Sequence, residues 1–140
     1  MTPKFSFPAA RTAHPLPLDP SLSDPAWQAG LVPNGSGGWQ NVTTRGPASD
    51  ATTAYFLYDD HYLYVAFKAA QEPSSIVATQ TTNDVGFGVD DFVGIGIDTS
   101  GAGSQAYYFE TTPRGVHYQQ AAENTRYRPR WQAASAIGPD

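Results

Sequence analysis

Residues 52–69 read TTAYFLYDDHYLYVAFKA, and this stretch decides the fold class. Two runs of β-branched and aromatic residues, the types that fit a pleated and half-buried surface, are divided by Asp59, Asp60 and His61, where acidic turn formers interrupt strand character. The spacing predicts a β-hairpin. Side chains alternate along a strand, so Leu63, Val65 and Phe67 share one face while Tyr62, Tyr64, Ala66 and Lys68 share the other. The first of these is expected to be the core face.

The same grammar continues downstream in DDFVGIGIDTSGAGSQAYYFETTPRGVHYQ, residues 90–119. Val93, Ile95 and Ile97 alternate with Phe92, Gly94, Gly96 and Asp98, which predicts a strand with its branched side chains inward and its glycines outward. The small, Gly-rich residues 99–104 read as a loop, and strand character resumes over 106–111 with Tyr107 and Phe109 on one side. Pro113, Arg114 and Gly115 make the next turn, before a last run over 116–120. No helical period runs through this region, so an all-β fold of antiparallel strands is expected.

Upstream, residues 1–17 are Pro-rich and read as an extended arm or linker with at most an edge strand, since Pro15 and Pro17 cannot donate to a central ladder. The folded domain is then expected over 18–140. Within it, residues 19–27 suggest a short helical turn, capped by Ser23 or Asp24 with Pro25 at an early position, and Trp27 is expected to close one end of the core. Residues 31–51 and 71–88 read as long polar loops, the first presenting Trp39 and the second ending in Gly86, Phe87 and Gly88. Residues 131–137 look like a further strand, followed by the turn formers Gly138, Pro139 and Asp140. The chain stops where a partner strand is expected, which leaves open a complete fold or one lacking its last strands, with an edge prone to association.

With 140 residues, the chain is in the usual range for one domain with a real core. Its 13 glycines and 12 prolines fall short of low complexity, and a hydrophobic content of 40% fits a folded, turn-rich protein. A net charge of −5 and a pI near 4.9 argue against affinity for nucleic acid or anionic membrane, both of which need excess Lys and Arg. No window approaches the ~18 apolar residues of a membrane span, so direct insertion by this chain is not expected, and residues 1–10 lack the apolar centre of a signal peptide. The absence of Cys excludes disulfides, thiol catalysis and Cys-based metal sites.

Taken in order, the motifs SDPAW (23–27), YDDHYLYVAF (58–67), DDFVGIGID (90–98) and YYFETTPRGVHY (107–118) resemble the family 9 carbohydrate-binding modules. More narrowly, they look like the version at the start of large bacterial proteins that end in a predicted outer-membrane barrel. The resemblance spans residues 18–137 and rests on the order of the motifs together. It implies an antiparallel β-sandwich with a jelly-roll-like order, binding of oligo- or polysaccharide without catalysis, and in some relatives a structural Ca2+ ion. It also implies a periplasmic, outer-membrane-associated or secreted setting. Three positions depart from the sugar clamp that the resemblance implies: Gly88 stands where a stacking Trp is expected, Gly94 where a Glu would meet hydroxyls, and Glu110 where an Arg is expected on the following strand.

Sugars are held by aromatic stacking on the apolar ring face, with amides and charged groups taking the hydroxyls. The residues expected to do this are Trp39, Tyr118 and Trp131, with Arg114 and Gln119 as polar partners; Tyr127 is a further aromatic outside the strongest strands. Each can instead cover part of a core. The strip left bare by Gly94 and Gly96 would take either a flat ring or a covering side chain, Tyr64 or Tyr108. For calcium, which needs several oxygens, Asp59, Asp60 and Asp91 are the expected carboxylates. Arg126, Arg128 and Arg130 recur at every second residue and read as a solvated edge, or as a contact for an anionic glycan or an acidic protein surface. Asn34 and Asn41 begin glycosylation sequons.

Catalysis is not expected. His14, His61 and His117 lack metal-ligand spacing, no nucleophile elbow or phosphate loop is present, and Glu110, Glu123 and Asp91 form a glycosidase pair only if the fold sets them at the required separation. The alternative to sugar binding is a degenerate module that docks against other domains of a longer exported or outer-membrane protein.

Overall fold

The structure, a computed structural model, describes residues 7–33, 39–86, 88–103 and 105–138. Asn34, Gly35, Gly37, Gly38, Phe87, Ser104, Pro139 and Asp140 lie outside these residues. Six strands are present among the described residues, in two three-stranded sheets: β1 (Ala10–Arg11), β2 (Thr52–Tyr58) and β3 (Leu63–Ala69) form one, and β4 (Val93–Ile97), β5 (Tyr107–Thr111) and β6 (His117–Ala121) the other. Two short 3-10 turns, Pro25–Gly30 and Pro73–Ser75, are the helical elements. The chain is therefore mostly β, and it divides into two compact units, Met1–Gln71 and Glu72–Asp140.

In the first unit the expected hairpin forms, with β2 and β3 antiparallel and Tyr58 opposite Leu63. Asp59 builds its turn. One carboxylate oxygen accepts the backbone N–H of His61 at 2.7 Å and of Tyr62 at 2.8 Å, and the other accepts the Tyr64 hydroxyl at 2.6 Å, so the side chain imitates the backbone bonds of a tight turn. These bonds hold the Asp59 carboxyl below its ordinary pKa, the Tyr64 hydroxyl being the largest cause.

The core lies on the face opposite to the one expected. Tyr55 and Leu57 of β2 pair with Ala66 and Tyr64 of β3, and this face packs with Leu16 and Trp27, whereas Leu63 on the other face is 47% exposed. The reversal has a physical cause: the polar end of Tyr64 is satisfied by Asp59, so its ring is free to be half-buried. The other face is covered in part, with Phe67 meeting the edge of Trp39 and Phe56 that of Phe7.

The expected helical turn forms as Pro25–Gly30, with Asp24 as its cap accepting the Ala26 N–H at 2.9 Å. It carries Trp27 onto Tyr55 in an edge-on contact. Gly30 is required there, since a Cβ would fall inside the Leu57 side chain and 2.7 Å from the Phe56 carbonyl oxygen. The segment read as an arm is built into this unit: β1 runs parallel to β2, and Leu16 belongs to the core cluster.

The second unit is an antiparallel meander, β4-β5-β6. Asp98 organises the β4–β5 connection by accepting N–H groups from Ser100, Gly101 and Gly103, and Gly115, at φ 76°, closes the β5–β6 turn on Thr112. Asp90 and Asp91 pin the preceding loop, taking Gln80 and Val77 N–H groups respectively.

Residues 131–137 form no strand, contrary to expectation. The last segment keeps a two-residue alternation of burial from Tyr127 to Ser135 without a backbone ladder. Side chains hold it instead: Tyr127 meets Tyr107, and Trp131 meets Phe109 and His117. A polar chain secures it, in which Trp131 Nε1 donates to Gln119 Oε1 at 2.8 Å, Gln119 Nε2 donates to Asp84 at 2.6 Å, and Arg128 pairs Asp84 at 3.2 Å.

Candidate functional site

Strand register sorts the second sheet into two faces. Ile95, Phe109 and Gln119 lie in one cross-strand row of the inner face, which the last segment covers through Tyr127 and Trp131. The outer face carries the rows Gly94, Glu110, Tyr118 and Gly96, Tyr108, Gln120. Because both β4 positions of these rows are glycines, β5 side chains settle over them. A Cβ on Gly96 would lie 3.1 Å from Tyr108 Cε1, and one on Gly94 would lie 2.7 Å from Glu110 Cγ. Tyr108 is thus the cover expected over the strip, while Tyr64, in the first unit, packs toward that unit's core. Tyr108 remains 42% exposed.

An open groove of about 370 Å³ lies on this outer face, lined by Gly88, Phe92, Tyr108, Glu110 and Gln120. Phe92 is 49% exposed, so two aromatic surfaces, an amide and a carboxyl are presented together. Beside it a small cavity of about 20 Å³ is bounded by Asp90, Glu110, Thr112, His117 and Tyr118, among others, a space that admits a water molecule and no sugar ring.

Glu110 is the electrostatic centre of the groove. Burial raises its carboxyl from an ordinary 4.5 to about 7, because removing a charge from water disfavours the ionised form. Among the described residues no ion pair or side-chain hydrogen bond reaches it. Asp90, 7% exposed, behaves oppositely: desolvation pushes its pKa up, but hydrogen bonds from Thr79 and Gln80 together hold it below the ordinary carboxylate value.

Within the second unit, the residues expected to bind sugar do not share one face. Tyr118 lines the small cavity beside the groove. Gln119 is 2% exposed and holds Trp131 from the inner face, so both serve the interior of the unit. Arg114 is exposed on the β5–β6 turn. Trp39, 41% exposed, belongs to the first unit beside Phe67. The sequence reading missed Phe92, Tyr108 and Gln120 as site residues, although the glycine strip and the outward parity of Tyr108 pointed to them. Gly88 and Glu110 line this groove, and Gly94 lies beneath the Glu110 side chain.

The carboxylates expected for calcium are each engaged within their own unit. Asp59 is occupied by its turn, Asp60 pairs Arg11 at 2.6 Å, and Asp91 takes the Val77 N–H. Among the described residues no group of three or more acidic or histidine side chains comes together to hold a metal, and no helix is long and apolar enough to cross a membrane. No protein-family model matches the chain, and no curated protein or solved structure matches it.

Proposed function

We propose that the chain is a noncatalytic carbohydrate-binding domain that takes an oligo- or polysaccharide on the outer face of its second sheet. The observation that carries this reading is the groove itself, where Phe92 and Tyr108 offer apolar ring faces beside the Gln120 amide and the Glu110 carboxyl. That combination suits a sugar, whose ring has an apolar face and a rim of hydroxyls. Pyranose stacking falls to Tyr108, and hydroxyl contacts to Gln120 and Glu110. The two mainly antiparallel sheets are the material of the β-sandwich with jelly-roll-like order that belongs to this reading, as does a role outside the cytoplasm within a longer protein.

The site supports binding more readily than hydrolysis. A glycosidase needs a second carboxylate across a cleft wide enough for a sugar, whereas Asp90 lies buried at a space of about 20 Å³ with both oxygens engaged.

Isothermal titration against xylo-, cello- and manno-oligosaccharides, with and without calcium, tests the proposal. Saturable heat that is lost in Tyr108→Ala and kept in Trp39→Ala supports it. No heat from any sugar, with folded and monomeric protein, refutes it and leaves the docking module as the better reading.

A further inference from the structure

We propose that the groove is built for a sugar bearing a protonated amine, a de-N-acetylated hexosamine unit, whose ammonium group sits between the Glu110 carboxylate and the Tyr108 ring. This rests on the carbohydrate reading and adds the charge of the ligand.

Position is the first argument. Glu110 lies in the middle strand of its sheet, with Gly94 on one side and Tyr118 on the other. The missing side chain at Gly94 lets the Glu110 stem lie down on the sheet, 2.7 Å from where a Cβ would be. The carboxyl is thereby drawn out of water without acquiring a cation or a donor among the described residues. A carboxylate in this situation gains most from a ligand that brings a positive charge, because a charge-assisted bond is roughly twice as strong as a neutral one. A hydroxyl compensates less for the lost hydration.

The surroundings are the second argument. Tyr108 and Phe92 flank the carboxyl in the same groove, and an aromatic face attracts a cation. The remaining titratable groups at the groove and the adjoining cavity are Asp90, His117, Tyr118 and Tyr108. Asp90 accepts from Thr79 and Gln80 and is further favoured in its ionised form by the charge of Arg114, and the His117 Nε2 lies 3.1 Å from the Asn83 amide nitrogen. Among the described residues no Arg or Lys lines either space, and the chain carries a net charge of −5.

The test titrates the full chain near neutral pH with three probes: a β-1,4-linked glucosamine tetramer, its N-acetylated counterpart and the corresponding glucose tetramer. The amine is expected to bind at least about tenfold more tightly than the other two, and Glu110→Gln to bring all three within about twofold. With an N-trimethylated tetramer, whose charge is permanent, affinity should rise about tenfold between pH 6 and pH 8 as Glu110 ionises around 7. If glucose binds as tightly as the amine, or the preference survives Glu110→Gln, the charge inference is overturned while the carbohydrate reading stands. If none of the three gives saturable heat with folded protein, both fall together.

Discussion

Glu110→Gln should stabilise the protein at pH 8 and leave it nearly unchanged at pH 4. The folded-state carboxyl is raised from 4.5 to about 7, so between these values the folded chain binds more protons than the unfolded one. Stability at this site is then lost as pH rises through that window. At about 1.36 kcal/mol for each pH unit, the full displacement corresponds to about 3.4 kcal/mol. The carboxyl is only partly enclosed, and solvent screens part of its charge, which reduces the effect to about 1–2 kcal/mol. Glutamine keeps the shape and removes the charge, so the other carboxylates cancel in the difference between variant and parent. Urea unfolding of both proteins at pH 4, 6 and 8 measures it: the gap in midpoint should be near zero at pH 4 and widen toward pH 8. A variant that is no more stable at pH 8, or a gap that stays constant with pH, would refute the reasoning.

Three further perturbations examine the packing and hydrogen bonds within each unit. Gly30→Ala should destabilise the first unit by about 2–3 kcal/mol, since the added methyl meets both the Leu57 side chain and the Phe56 carbonyl; thermal unfolding followed by circular dichroism reads this. Trp131→Phe should lower stability by about 1–3 kcal/mol by leaving the buried Gln119 oxygen without its donor, while sugar-binding heat stays within twofold of the parent. Tyr64→Phe should lower the urea midpoint at pH 6, and the difference should vanish when pH falls below Asp59's depressed pKa, because a carboxyl so held contributes stability only while ionised.

The strands were legible because their signals are local. Asp59 between two aromatic runs, Pro25 after Asp24, and the alternation from Val93 to Ile97 each act over a few residues, and the structure builds a turn, a cap and a strand from them. The core face of the hairpin was not legible in the same way. By hydropathy, Leu63, Val65 and Phe67 outrank Tyr64 and Ala66, but burial of Tyr64 depends on a hydrogen bond to Asp59 and on Trp27 and Leu16, which arrive from elsewhere in the chain. The last segment misled for a related reason. Its two-residue alternation is that of a strand, yet it is fixed by Tyr127, Trp131 and Arg128 side chains, and backbone pairing leaves no trace in composition.

The groove was half legible, and the half that escaped carries the chemistry. Sequence parity sets Gly94 and Gly96 outward with Tyr64 or Tyr108 to cover them, but the rule for sugar binders favours aromatics outside the strongest strands. That rule selects Trp131, whose ring and Nε1 are committed to the interior through Phe109 and Gln119, and passes over Tyr108, which lies within a strand. A strand side chain is available to a ligand when its cross-strand neighbour is small enough to leave it uncovered on the outside. Gly96 does this for Tyr108, and Gly94 does it for Glu110. The same vacancy that exposes the ring lets the carboxyl sink against the backbone, so ring face and displaced carboxyl follow from one pair of glycines. Replacing Gly96 with Ala should therefore move the Tyr108 ring by only a few tenths of an ångström, its Cε1 being 3.1 Å from the new Cβ, whereas Ala at 94 also meets the Phe109 carbonyl oxygen at 2.8 Å and has no such freedom.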